Sequence, residues 1–154
     1  RAAKFSLFEG GIRVPAIIRY PAKLPQNTVR DQLAMNIDWF PTIVDLCGIS
    51  SENMQVDGKS LVSVMVENVE TPHDVLHFDF GNQWAVRSGD WKLIHKAVDV
   101  KPNSSTLIDA DYFLANIKMD RTESKNLSSE YPEIQQELLK KRNEYLNSLN
   151  QTTN

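Results

Sequence analysis

Cysteine is nearly absent: the chain of 154 residues has one, Cys47. A lone thiol excludes an internal disulfide framework and cannot build a zinc site by itself. Long apolar runs are missing too. None approaches the roughly 20 residues of a membrane-spanning helix, and the N-terminus lacks the basic, apolar and small-residue succession of a signal peptide, so a soluble chain with no membrane partner is expected. Nor does charge of one sign accumulate, since 17 basic and 20 acidic residues give a net −3 without long blocks. A phosphate-backbone binder shows a concentrated positive face, so nucleic acid is not an expected partner. Internal repeats and low-complexity tracts are absent as well.

What is present is an apolar content of 41%, enough for one compact domain with a real core. The chain begins at Arg1-Ala-Ala-Lys4 without Met, and a fragment or processed product is expected. Asn103, Asn126 and Asn150 open glycosylation triplets, which carry meaning only in a eukaryotic secretory setting. Cys47 falls in the last turn of an apolar helix and is expected to be a small buried core residue.

The stretch Lys4-Phe-Ser-Leu-Phe-Glu-Gly-Gly-Ile-Arg-Val-Pro15 sets a cation, adjacent glycines and an apolar run in succession. Gly10 and Gly11 admit positive φ and close backbone approach, which suits a tight turn feeding a strand from Ile12 to Tyr20, buried on both faces. Pro15 belongs near the start of that strand or on an unpaired side. Arg13 would be costly to bury alone, and Glu9 is its expected partner in a structural pair. Local physics favours a plain Gly-Gly loop with Lys4 solvated.

Further along, Asp38 reads as an N-cap, Pro41 as a first-turn residue and Gly48 as a C′ residue, with Phe40, Ile43, Val44 and Cys47 on one helix face. Ser50–Gly58 reads as a loop and Leu61–Met65 as a short helix. Asp57-Gly-Lys-Ser lacks the first glycine and the preceding strand of a phosphate loop, so no nucleotide site is expected there. Strands are expected over Asp74–Phe80, Gln83–Arg87, Trp91–His95 and Tyr112–Ile117, with 98–108 as a surface loop. Ser128 or Ser129 is expected to cap a final helix, with Pro132 in its first turn and Ile134, Leu138, Tyr145 and Leu149 along its apolar stripe. The fold class is α+β: a four-stranded antiparallel sheet packed by a C-terminal helix, preceded by a strand and helix of a larger α/β domain.

The order of these motifs resembles the C-terminal part of the formylglycine-dependent sulfatases, the arylsulfatase branch of the alkaline phosphatase superfamily. The residues that carry the resemblance are Lys4, Glu9–Pro15 and Tyr20-Pro21, followed by Asp38-Trp-Phe-Pro-Thr42 running to Gly48. Asp57–Leu61, Ala85–Ile94 and Asp120–Leu127 complete the set. The resemblance implies that Lys4 contacts the sulfate group, its ammonium placed where negative charge persists in the transition state. It also implies that residues 1–72 end the catalytic α/β domain and that 73–154 form a smaller subdomain lining the substrate cleft.

The resemblance further implies a nucleophilic formylglycine, made in a Cys/Ser-x-Pro-x-Arg motif that this chain lacks, and calcium ligands that would lie upstream of Arg1. Alone, the chain is expected to be inactive and to need the missing N-terminal catalytic part. Without that part, its first strand could exchange with a second copy. The implied compartment is periplasmic, secreted or lysosomal, and the implied ligand is a sulfated small molecule or saccharide. His77, Asp79, Asn82, Trp84 and Arg87 cluster around one turn with the mixture of polar and aromatic groups that binds sugars. Taken singly, His77 and Trp84 read first as satisfied core residues and Asp79 as a turn group. His73 and His95 carry weaker signals. A phosphodiester or phosphonate hydrolase of the same superfamily and a free-standing carbohydrate-binding module are the alternatives.

Overall fold

The computed structural model describes residues 1–50 and 54–151, so residues 51–53 of the expected Ser50–Gly58 loop and Thr152 of the last glycosylation triplet lie outside it. Two compact units emerge, Arg1–Pro15 together with Val75–Asn154, and Ala16–Asp74.

The first unit is built on an antiparallel sheet of β1 (Leu76–Phe80), β2 (Gln83–Ser88), β3 (Trp91–His95) and β6 (Tyr112–Asn116), in the order β1-β2-β3-β6. Side chains alternate between faces along each strand. The register aligns Val86 with Leu93 and Leu93 with Leu114, and this face buries Leu138 of α4 (Pro132–Gln151). The opposite face, with Ala85, Ile94, Phe113 and Ala115, takes Leu7 and Phe8 from the start of the chain. Phe8 is fully buried and meets Phe113 edge-to-face at 5.0 Å. The sheet is thus covered on both sides, by a helix and by the N-terminal segment.

The expected loop at 98–108 is instead a hairpin of β4 (Val98–Lys101) and β5 (Ser104–Leu107). Asn103 supplies the left-handed residue its turn needs, at φ 68°. Ser128 does not cap α4. Its hydroxyl donates to Asn126 Oδ1 at 2.8 Å, and the helix starts later, at Pro132, where a missing N–H costs nothing. Asn126 itself ties this loop to β6: its amide donates to Tyr112 O at 2.9 Å, and its carbonyl accepts from Leu114 N–H at 3.0 Å.

The strand expected over Ile12–Tyr20 does not form. Glu9–Ile12 is a single helical turn, α1, and 13–20 pair with no strand, leaving Val14 at 76% and Ile17 at 95% exposure. An apolar run becomes a strand only where a neighbour supplies backbone partners. None of the described strands does so here.

In the second unit a 3₁₀ turn, Asn36–Asp38, leads into α2 (Trp39–Leu46), and α3 (Val62–Glu67) follows. Asp38 is fully buried but does not cap α2 by side chain. Its carboxylate instead accepts from Met35 N–H at 2.7 Å and Lys59 N–H at 2.9 Å, and meets His73 Nε2 at 2.8 Å. Gly48 closes the helix at φ +69°, with Gly48 N–H on Asp45 O and Ile49 N–H on Val44 O, the Schellman pattern. The buried face differs from the expected one: Thr42, Val44 and Leu46 are inside, whereas Phe40, Ile43 and Cys47 are exposed. Contact with α3 selects that face, through the Thr42 hydroxyl that accepts from Leu61 N–H at 2.9 Å.

Candidate functional site

Lys4 stands at the tip of a loop folded against α1. Gly10 N–H donates to Arg1 O at 3.0 Å, and a Cβ on Gly10 or Gly11 would lie 2.2 Å from Ala2 O or 2.0 Å from Ser6 O. Close approach is therefore what this glycine pair provides; neither residue has positive φ. The positive φ falls on Ala2 (62°) and Phe5 (76°), which flank the Lys4 tip and for residues with a Cβ are strained. Lys4 is exposed, its Nζ 5.0 Å from the Phe5 ring centroid, and among the described residues it pairs with no carboxylate. Phe5 in turn stacks on Phe80 at 5.9 Å. From Phe5 an open groove of about 390 Å³ runs past Ser6, Leu7, Gly11 and Ile12 to His77–Phe80 along the edge of β1.

Below this loop lies a buried ionic cluster. Lys92 on β3 is fully buried, with its Nζ 2.8 Å from Glu9 Oε1, 2.6 Å from Glu123 Oε1 and 3.1 Å from Leu7 O. Glu123 Oε2 also accepts from Glu9 N–H at 2.5 Å. Arg87 and Arg13 approach Glu9 Oε2 at 3.5 and 3.7 Å. Burial pushes the Glu123 carboxyl above its ordinary value, against the pull of the Lys92 charge. The expected Glu9–Arg13 pair is thus one edge of a larger network. Lys92 and Glu123 lie 83 and 114 residues from Glu9, which hid them from a reading by proximity. The available signal was a lysine inside the apolar run Trp91-Lys-Leu-Ile94, since a charge at an inward strand position requires partners.

The residues expected around the β1–β2 turn do not form one cluster. His77, Asp79 and Trp84 share the face that packs on α4, while Arg87 lies on the other face beside Glu9, and Asn82 is exposed in the turn. His77 stacks on Tyr145 at 4.1 Å. Asp79 takes a bidentate ion pair from Arg142, whose guanidinium also lies 5.2 Å over the Trp84 ring. Burial, followed by the Arg142 charge, lowers the His77 pKa, with Asp79 opposing. A depressed folded value means that protonation favours unfolding, so the contribution of His77 to stability is complete above about 6.5 and is lost as pH falls below it. The stability gap between the protein and His77→Phe should accordingly shift against the native histidine on acidification, measured by thermal melts across that range. A gap independent of pH would refute the assignment.

The other motif residues are similarly engaged. Asp120 accepts from the hydroxyls and amides of Thr122 and Ser124, which hold its carboxyl well below the usual carboxylate range. Lys59 joins Asp38 and Pro72, and Ser60 bonds Asp45 at 2.6 Å. Lys4 alone of the expected site residues offers a charge that no partner consumes. The arrangement can hold an anion at an anchored cation, and it contains no activated nucleophile.

A sequence model of the family described as "N-sulphoglucosamine sulphohydrolase, C-terminal" matches residues 3–150. The chain belongs to this sulfatase family. A sulfatase of Formosa agariphila is 31% identical over 144 residues, covering 88% of the chain and 26% of the relative. An N-acetylglucosamine-6-O-sulfatase of Bacteroides thetaiotaomicron is 26% identical over 147 residues, covering 86% and 25%. A solved structure reported for the metabolism of multiple glycosaminoglycans by Bacteroides thetaiotaomicron matches with a TM-score of 0.72 at 25% identity, covering 97% of this chain and 31% of that one. The chain thus spans about a quarter to a third of the length of these relatives.

Calcium does not fit the described residues of this segment. Among the described residues no group of three or more His, Cys, Asp or Glu side chains could hold a metal ion. Four of the motif acids are already taken, Glu9 and Glu123 by Lys92, Asp38 by two amides and His73, and Asp120 by its own loop. Among the described residues no helix is long and apolar enough to cross a membrane.

Proposed function

We propose that the chain is the C-terminal part of a sulfatase that hydrolyses aryl or carbohydrate sulfate esters, and that Lys4 holds the sulfate group. The observation that carries this reading is the contrast at Lys4: a free ammonium on a tightly anchored loop, above a cluster in which Glu9, Lys92 and Glu123 are spent on one another. An ammonium fixed beside a sulfuryl group stabilises charge that persists in the transition state, because its orientation costs nothing at the moment of reaction. The open groove starting at Phe5 suits the alcohol part of the ester. We assign contacts with that part to Asn82 and to the groove edge at His77 and Asp79, and a supporting role to Trp84 and Arg87.

In this reading residues 1–72 end the catalytic domain and 73–154 form its C-terminal subdomain, while the rest of the polypeptide supplies the formylglycine nucleophile and the calcium site. The compartment is periplasmic, secreted or lysosomal, and the ligand is a sulfated small molecule or saccharide. Strand exchange through 13–20, which lie exposed and unpaired, belongs to the chain separated from that polypeptide. No feature of the site favours the phosphodiesterase or free-standing binding-module readings.

The test is a side-by-side rate measurement on 4-nitrophenyl sulfate, a 6-O-sulfated aminosugar and 4-nitrophenyl phosphate with the full-length polypeptide. Sulfate release should exceed phosphate release and stop on chelation with EGTA. Faster phosphate release would overturn the proposal.

A further inference from the structure

We propose that Lys92 and Glu123 are positioning residues that set where Lys4 stands by clamping Glu9; the proposal rests on the reading of Lys4 as the sulfate-contacting cation. Lys4 itself has no tether. Its place is set by the backbone on either side, and that backbone is fastened at two points. Upstream, the Arg1 guanidinium donates to Asp99 Oδ2 at 2.9 and 3.1 Å and lies 4.9 Å over the Phe8 ring. Downstream, Glu9 is held by its side chain on Lys92 and by its backbone N–H on Glu123. Ser6 adds a bond from its hydroxyl to Val98 O at 2.6 Å.

The downstream fastening reaches Lys4 through the glycine pair. Gly10 and Gly11 follow Glu9 directly, and the carbonyls of Ala2, Ala3 and Ser6 rest against them with no room for a Cβ. A displacement of Glu9 therefore moves α1, and α1 is the surface against which the Lys4 loop is folded. Lys92 ties the parts together, donating to Leu7 O and Glu9 Oε1 and ion-pairing with Glu123 Oε1 at 2.6 Å. Glu123 binds both the Lys92 ammonium and the Glu9 amide, so it fixes the cation and the backbone together.

Stability alone is a weak reason for such a cluster. Two carboxylates and a lysine cost several kcal/mol each to remove from water, and apolar residues of similar volume commonly serve a core as well or better. Charge pairing does provide a unique geometry that apolar packing leaves loose, and turnover is sensitive to geometry: a misplacement of about 1 Å can cost about 100-fold.

The test is a double-mutant cycle in the full-length polypeptide, using 4-nitrophenyl sulfate and the variants Lys4→Ala, Glu123→Gln and Lys4→Ala/Glu123→Gln. Glu123→Gln keeps the shape and removes the charge. Its kcat should fall roughly 10- to 100-fold with KM changed less than about 3-fold. Combined with Lys4→Ala it should cost little beyond Lys4→Ala alone, because once the lysine is absent the clamp has nothing left to position. Lys92→Met should behave like Glu123→Gln, and Lys92→Arg should recover part of the rate; if Lys92→Met fails to fold, the Glu123→Gln cycle carries the test. Losses that multiply in the double variant, or a Glu123→Gln enzyme of normal kcat, overturn the clamp while leaving Lys4 in the site. Unchanged turnover in Lys4→Ala overturns the reading of Lys4 and the clamp's role with it.

Discussion

Lys4→Ala in the full-length polypeptide is expected to lower kcat/KM for a sulfate ester by roughly 100- to 1,000-fold, the loss typical of deleting one preorganised electrostatic contact. The melting temperature should hardly move. Lys4 is exposed and its charge is unpaired among the described residues, and surface substitutions of that kind stay within about 0.5 kcal/mol. The combination separates a chemical role from a structural one. Lys4→Arg should fall between the two, because a planar fork replaces a compact point charge on a loop whose backbone is fixed by its packing against Gly10 and Gly11. Steady-state kinetics beside a thermal melt decide the matter, and a normal kcat/KM removes Lys4 from the site.

Phe8→Ala is expected to have the largest effect on stability. The ring is fully buried, meets Phe113 at 5.0 Å and carries the Arg1 guanidinium 4.9 Å from its centroid. Truncating a buried phenylalanine to alanine costs roughly 3–5 kcal/mol, from lost transfer energy and the cavity left behind. In a unit of this size that lowers the melting temperature by more than about 10 °C. Phe8→Leu, which refills much of the volume, should recover more than half of the loss. Phe8 is also the residue before Glu9, so its loss frees the same stretch of backbone that carries Lys4. Denaturant titration by circular dichroism measures the effect, and a cost below about 1 kcal/mol would show that the N-terminal segment is not an integral part of the sheet's core.

The sheet was legible because alternation in Leu76–Phe80 and Gln83–Ser88 is a local signal, and the register that pairs Val86 with Leu93 follows from keeping both inside. The apolar stripe of α4 is plain at Ile134 and Leu138 on the sheet and at Tyr145 against His77, whereas Leu149, expected on the same stripe, lies near the helix end and is exposed. Three features were not legible. The hairpin of β4 and β5 hides in Pro102-Asn-Ser-Ser-Thr, whose composition reads as a loop, because its exposed strand β5 needs no apolar residues until Leu107. Ile12–Tyr20 has strand composition without a strand's partners. On α2 the sequence shows an apolar helix, but only α3 decides that Thr42 goes in and Phe40 stays out.

Of the candidate site, Lys4 was legible through the company it keeps, and Glu9 through its proximity to Arg13. Lys92 and Glu123 fall within motifs of the sequence, yet nothing local records that β3 and the loop after β6 converge on α1. The turn residues His77, Asp79 and Trp84 were grouped because they are near in sequence. The pleat then sent them to the helix face and Arg87 to the other.

The location of the first fifteen residues within a unit otherwise built from Val75 onward has a consequence for how this polypeptide is made. A ribosome adds roughly 5–20 residues per second. Glu9 is therefore synthesised roughly 6–23 s before Glu123, its partner 114 residues later. Throughout that interval Leu7 and Phe8 have no sheet to cover, and the contacts that close last are the most distant in sequence, the kind that slow folding. The loop that carries Lys4 is thus fastened only once synthesis has passed Glu123.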